Sequence, residues 1–215
     1  MYGIQRLASM VLGVATLIGS SAAHAVFEPN GLYGIGGIGW GWLENSQLQR
    51  TIPDGLQLTV NLDSKEEFLF RFGLGTLFSD LIGAEFRYYQ FNTVSTHELI
   101  PGTYDTIRLR TTPYYFDLNM LIRAAFSPTL SGFVTIGPGY AKIQRSYTLT
   151  NLDYAIIKNN KDKDSSGFGV AGSIGLQYEF SPLWGLRLEA AGIKGTSQND
   201  VKMGSVTGNI VINIL

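Results

Sequence analysis

Along most of this chain large apolar residues return at every second position, the period of strands that bury one face. Between 68 and 78 one face carries Phe68, Phe70, Phe72, Leu74 and Phe78, and the other Leu69, Arg71, Gly73 and Gly75. Ile82, Ala84, Phe86 and Tyr88 then alternate with Gly83, Glu85, Arg87 and Tyr89. The run over 114–126 sets Tyr114, Phe116, Leu118, Met120 and Ile122 against Tyr115, Asp117, Asn119, Leu121 and Arg123. Segments 134–141, 168–180 and 186–191 alternate likewise, and segments near 32–42 and 202–215 bring the number of expected strands to eight.

Three tripeptides punctuate these runs: Phe78-Ser79-Asp80, Phe126-Ser127-Pro128 and Phe180-Ser181-Pro182, spaced 48 and 54 residues apart. That repetition marks a hairpin unit and an all-β architecture. Each turn-flanking Phe falls on the apolar face counted from its own strand. Between the hairpins lie long polar segments, roughly 43–65, 92–105, 147–164 and 194–200. Short turns at one end and long loops at the other are the rule of an outer-membrane barrel, with the turns in the periplasm and the loops outside. The wholly polar stretch 158–166 (KNNKDKDSS) is predicted to be a mobile external tip and not a strand. The fourth and fifth strands are predicted to run past the bilayer through 107–110 and 142–145.

The two faces differ in kind. One is bulky and apolar; the other holds small residues interrupted by charges. The interior of an eight-stranded barrel is just wide enough to be filled by side chains. Small and charged residues fit there, leaving the bulky face against lipid. A soluble calyx would invert the pattern, but it has no need of long loops at one end only. The predicted fold is an eight-stranded antiparallel up-and-down transmembrane β-barrel.

Residues 1–25 read as a signal peptide rather than a membrane anchor. Arg6 supplies the one positive charge, 7–18 is mostly apolar and short, and Ala23-His24-Ala25 has the small-x-small form of a cleavage site. Residues 26–215 are then the barrel domain. Without Arg6 the remainder has 15 Lys+Arg against 17 Asp+Glu, no basic excess that would suggest nucleic acid. Cysteine is absent, which excludes a disulfide framework and thiolate metal sites.

The chain resembles the small OmpA/OmpX-type eight-stranded outer-membrane barrels of Gram-negative bacteria. The resemblance rests on the leader ending Ala23-His24-Ala25 and on the Gly-aromatic first strand, Gly31-Leu32-Tyr33-Gly34-Ile35-Gly36-Gly37-Ile38-Gly39-Trp40. Gly83-Ala84-Glu85-Phe86-Arg87-Tyr88-Tyr89 and Thr135-Ile136-Gly137-Pro138-Gly139-Tyr140 also carry it. It covers the whole chain after the leader. Such barrels end on an outward aromatic with apolar residues two and four positions earlier. Here Leu215, Asn213 and Val211 hold those places, and the apolar ladder is Ile210, Ile212 and Ile214, one residue out of phase. The resemblance implies a monomer in outer-membrane lipid and lipopolysaccharide, without cofactor, whose loops are free to meet an extracellular ligand.

Eight charges are expected to face the lumen: Arg71, Arg87, Arg123 and Arg187 with Glu85, Asp117, Glu179 and Glu189. Four of each sign favour a neutralised plug over a conducting pore, because buried charges persist when paired. Phe78, Phe126, Phe180 and Trp184 near the turns, with Trp40, Trp42 and Tyr33 on the first strand, are expected at membrane–water levels rather than in a ligand pocket. Enzymes on this architecture, such as lipid A deacylases and palmitoyltransferases, need an activated nucleophile or water. Past the leader the only histidine is His97, in Ser95-Thr96-His97-Glu98, expected in an exposed loop where adjacency in sequence fixes no geometry. Asp153, Asp162 and Asp164 with Asn159 and Asn160 lack calcium-loop spacing. Gly34-Ile35-Gly36-Gly37 lacks the βαβ setting of a phosphate loop. The expected function is non-enzymatic, an envelope structural or surface-interaction role through four external loops. A narrow channel for small or hydrophobic solutes, as in OmpW-like barrels, is the alternative; a lipid A-modifying enzyme is a remote one.

Overall fold

The computed structural model describes residues 31–44, 47–51, 57–61, 67–99, 106–150, 156–161, 165–195 and 202–214. The predicted signal peptide lies outside these residues, as do Leu215, Asp153, Asp162 and Asp164. Twelve strands are described: β1 (Leu32–Glu44), β2 (Gln47–Thr51), β3 (Gln57–Asn61), β4 (Glu67–Leu77), β5 (Ile82–Phe91), β6 (Val94–Leu99), β7 (Thr106–Ala125), β8 (Leu130–Thr150), β9 (Ile156–Lys161), β10 (Ser165–Glu179), β11 (Trp184–Gly195) and β12 (Lys202–Ile214).

Eight of them close on themselves. The order β7-β5-β4-β1-β12-β11-β10-β8 is antiparallel throughout, and β8 pairs with β7 to seal the ring. The first and last strands run side by side from Leu32↔Ile214 to Glu44↔Lys202. Closure leaves no free edge in the barrel wall, the condition for strands to cross hydrocarbon.

The wall is taller on one side. β7 and β8 have 20 and 21 residues, about twice the ~9–11 that span a bilayer, as the sequence predicts. β6 continues the edge of β5 along β7, but the pairing slips from Gln90↔Tyr114 to Val94↔Thr111, so three residues oppose two. The slip falls at Pro113, which has no N–H for the ladder. β9 continues β10 along β8 in the same manner, from Ser165↔Ile143 to Ser146↔Lys161. This corrects the expectation for 158–166: Ile156–Lys161 is a strand, and Ser165 and Ser166 open β10. Beyond the bilayer a backbone ladder needs no apolar alternation, so these segments carry no periodic signal. Likewise the expected first and second loops contain the β2–β3 pair and β6.

At the opposite end, the repeated tripeptide builds the turns. Ser79 Oγ accepts the N–H of Ile82 at 3.1 Å, Ser127 Oγ that of Leu130 at 3.0 Å, and Ser181 Oγ that of Trp184 at 3.0 Å. A serine accepting from the third residue on stabilises a tight turn locally.

Side-chain direction decides what surrounds the barrel. Phe72, Leu118 and Leu188 are 58, 58 and 59% exposed, whereas Arg71 and Arg87 are fully buried. The bulky face points outward on every strand of the ring. On β12 Ile210, Ile212 and Ile214 point outward, with Val211 inside.

Candidate functional site: the filled lumen

The lumen is layered. Toward the long-strand end, Leu69, Tyr89, Phe91, Tyr115, Ile143 and Met203 belong to one apolar cluster, with Tyr89 and Tyr115 stacked at 4.2 Å. Toward the turns Tyr33, Ile35, Leu77, Leu121, Phe133 and Val211 form a second. The expectation of a lumen of small residues and charges is therefore incomplete: two apolar layers containing aromatic rings share it with the charges. The glycines make room for them. A Cβ at Gly75 would overlap the Tyr33 ring, and one at Gly175 the Phe133 ring.

From the space between the layers down to the turn-side one, the eight charged side chains join into one chain of contacts. Asp117 receives Arg87 Nε at 2.7 Å and Nη2 at 2.9 Å, a bidentate pair. Arg87 Nη1 donates to Glu189 at 2.8 Å, and Glu189 meets Arg71 Nη2 at 2.9 Å. Arg71 lies 3.8 Å from Glu85, which accepts Arg187 Nη1 at 2.5 Å. Arg187 donates to Gln177 Oε1 at 2.8 and 2.6 Å, Gln177 donates to Glu179 at 3.3 Å, and Glu179 pairs with Arg123.

Aromatic faces complete the solvation that water would otherwise give. Arg187 lies 4.3 Å from the Phe133 centroid, and Arg71 5.4 Å from that of Tyr89. Arg71 Nε, Nη1 and Nη2 have no hydrogen-bond partner among the described residues, Nη2 making ion-pair contacts alone. A cavity of about 10 Å³, lined by residues including Tyr33, Leu121, Arg123 and Phe133, is room for about one water.

All eight predicted lumen charges thus lie inside, and contacts spanning up to 102 residues bring them together. Sequence reasoning missed Gln177, which bridges the two halves of the network. It also missed Ser173, which accepts Arg87 Nη1 at 2.6 Å. Their inward parity was visible; their partners across the ring were not. Tyr33 is a correction. Expected at the membrane surface, it is 1% exposed, and its hydroxyl donates to Glu85 at 2.7 Å. Odd positions of β1 face the lumen, and the glycine opposite admits a phenol there.

Outside, Phe78, Phe126, Phe180 and Trp184 are exposed near the turns and Trp40 toward the other end, while Trp42 is half-buried against Gly204. His97 is exposed but sits on β6 opposite Arg108, not in a loop as expected. Gly34 to Gly37 are ordinary positions of β1. No cluster of metal-ligating side chains occurs among the described residues.

The family model described as an outer membrane protein beta-barrel domain matches residues 11–211. The fold is similar to that of Ail, the attachment invasion locus protein of Yersinia pestis, with a TM-score of 0.54 and 14% identity over 87% of this chain and 100% of that one. A second Ail structure, in complex with the heparin analogue sucrose octasulfate, gives 0.51 and 16% over 86% and 99%. The N-terminal barrel domain of Pseudomonas aeruginosa OprF gives 0.52 and 11% over 87% and 100%. No curated protein matches the chain. At such identities these neighbours speak to fold, and the family match speaks to membership. With its closed ring, outward apolar wall and paired interior charges, the chain belongs to the outer membrane protein beta-barrel domain family and resides in the cell outer membrane.

Proposed function

We propose that this protein is a non-conducting outer-membrane barrel, oriented with its Phe-Ser turns in the periplasm, that acts through its outer surface and external loops. One observation carries this reading: the ion-pair chain runs from Asp117, beside one apolar layer, to Arg123, beside the other, and the cavity described next to it has room for about one water. Equal numbers of each sign leave no surplus charge to select a permeating ion. A transported solute would have to displace Tyr89 and Tyr115 at one level and Phe133 at another. Buried ion pairs add little net stability over an apolar filling, so what the network contributes here is a filled, charge-neutral interior.

Planar bilayer recording tests the plug. The purified protein is expected to pass no steady current across the voltage range where open barrels conduct. Sustained, reproducible conductance steps would overturn the reading in favour of the narrow channel.

A further inference from the structure

Pro138 breaks the rule for its place in the wall. It lies inside β8, with β7 on one side and β10 on the other. A proline has no N–H for a ladder, so within sheets it is confined to edges, strand starts and bulges. Toward β10 the pairing is continuous through Val170↔Pro138. Toward β7 it stops at Asp117↔Gly139 and resumes in the same register at Met120↔Ile136. Leu118 and Asn119 therefore face Pro138 and Gly137 across an interruption in the seam that closes the barrel. The interruption lies within the apolar belt. Pro138 is exposed on the outer face, two residues below Tyr140, whose ring lies 5.2 Å from that of Phe168. Two residues are about 7 Å along the strand, or roughly 5 Å of depth below that aromatic level at the usual tilt. Backbone groups at such a depth have no water outside the wall to turn to.

The inner face of the same interruption carries a second irregularity. Asn119 is 1% exposed, and neither its Nδ2 nor its Oδ1 has a hydrogen-bond partner among the described residues. Directly opposite it on β5 is Glu85, fully buried. Glu85 Oε2 lies 3.8 Å from Arg71 and accepts no hydrogen bond among the described residues. Facing positions of an antiparallel pair hold their Cβ atoms about 4.5–5.5 Å apart. An unused donor and an unused acceptor thus face one another without meeting. We propose that an ordered water is bound here, accepting from Asn119 Nδ2, donating to Glu85 Oε2 and reaching the backbone groups left open beside Pro138. A buried water makes about three hydrogen bonds to groups that would otherwise go unsatisfied, and this site supplies that number. Amide, carboxylate and open ladder present donors and acceptors together, which one water serves and an ion does not. Nor is the interruption a side door for a solute. A Cβ at Gly137 would overlap the Leu118 carbonyl oxygen, so the two backbones stay in close approach.

The inference rests on the filled lumen of the proposed function, and the test separates the two. Proton-detected solid-state NMR of the full chain in deuterated lipid bilayers reads magnetisation passing from water to individual amides. The Asn119 side-chain amide is expected to receive it, while the backbone amides of Leu121 and Leu176, within continuous ladders, do not. No transfer to Asn119 overturns the water site and leaves the filled lumen standing. Transfer to the Arg71 and Arg187 guanidinium groups as well would mean a flooded lumen, and both readings would fall. Pro138→Val tests the interruption itself, since it returns an N–H to the ladder and places an apolar side chain against lipid. Exchange at the Asn119 backbone amide is expected to slow roughly tenfold, about the value of one backbone hydrogen bond. The shift in gel migration on boiling verifies that the variant is folded. Unchanged exchange in the folded variant would show that no water enters at Pro138, and the proposal would be wrong.

Discussion

Tyr33 and Glu85 lie 52 residues apart in sequence and meet inside the barrel, the phenol donating to the carboxylate at 2.7 Å. The contact joins the lower apolar layer to the ion-pair chain, since Glu85 also accepts Arg187 at 2.5 Å. It depends on Gly75, the position on β4 paired with Tyr33, where any Cβ would overlap the ring.

Tyr33→Phe keeps the ring and removes the donor from a buried carboxylate. Hydrogen bonds to charged groups contribute about 1.5–3 kcal/mol, and a loss of that size is expected in equilibrium urea unfolding from lipid vesicles. Gly75→Ala should cost at least as much, because the ring must leave its site. Gly36→Ala is the control: a Cβ there meets nothing within 4 Å, so stability should stay within about 0.5 kcal/mol of the parent. Equal losses at Gly75 and Gly36 would remove the packing explanation.

Glu189 holds two cations at once, Arg71 at 2.9 Å and Arg87 at 2.8 Å, and accepts from Tyr89 at 3.1 Å. Glu189→Met leaves both guanidiniums buried with less compensation, at an expected cost of about 3–5 kcal/mol. Adding Arg71→Met should recover much of that loss. All three Arg71 guanidinium nitrogens lack a hydrogen-bond partner among the described residues, the contact with Glu189 being an ion pair, and an apolar replacement gives up little. The same unfolding measurement on the two single variants and the double gives the coupling. A double variant no more stable than Glu189→Met alone would argue against an ion-pair origin.

How much of this was readable from the sequence depends on what each residue answers to. The wall was legible because lipid imposes a two-residue period: Phe70, Phe72, Leu118 and Leu188 all point outward as their parity requires. The lumen charges were legible for the same reason, inward parity alone placing Arg71, Glu85, Arg87 and Glu189. Tyr33 was not, although its parity with Ile35 put it inside. Aromatic type suggested the membrane surface, and only the facing Gly75 reveals that a phenol fits. Gln177 and Ser173 were placed on the correct face, yet their link to Arg187 and Arg87 depends on ring closure, which no local pattern encodes. β6 and β9 were invisible because strands above the bilayer obey no apolar alternation.

The three turn serines give a prediction about local order. Ser79, Ser127 and Ser181 each accept a backbone N–H three residues on, at 3.1, 3.0 and 3.0 Å. Ser127→Ala is expected to lower stability by about 0.5–1.5 kcal/mol, the net value of one neutral hydrogen bond. Amide exchange should quicken at Leu130 while remaining unchanged at Leu121, deep in β7. Uniform quickening along β7 and β8 would mean that the turn serves the whole wall and not only itself.

The direction of the apolar face admits a sharper test. Leu118 is 58% exposed, and its strand neighbours Asp117 and Asn119 are buried. On a soluble protein an exposed leucine can become arginine at little cost, commonly within about 0.5 kcal/mol. On a barrel wall against hydrocarbon the same change costs about 2–4 kcal/mol near the midplane and about 0–1 kcal/mol near the interface. Leu118→Arg should therefore destabilise the vesicle-embedded protein by about 2–4 kcal/mol. Leu81→Arg, in a tight turn and 59% exposed, should be nearly neutral. The two leucines are equally accessible, so accessibility cannot produce the difference; only the depth of the surrounding medium can. Equal effects at both positions would mean that the outward face of β7 does not meet lipid.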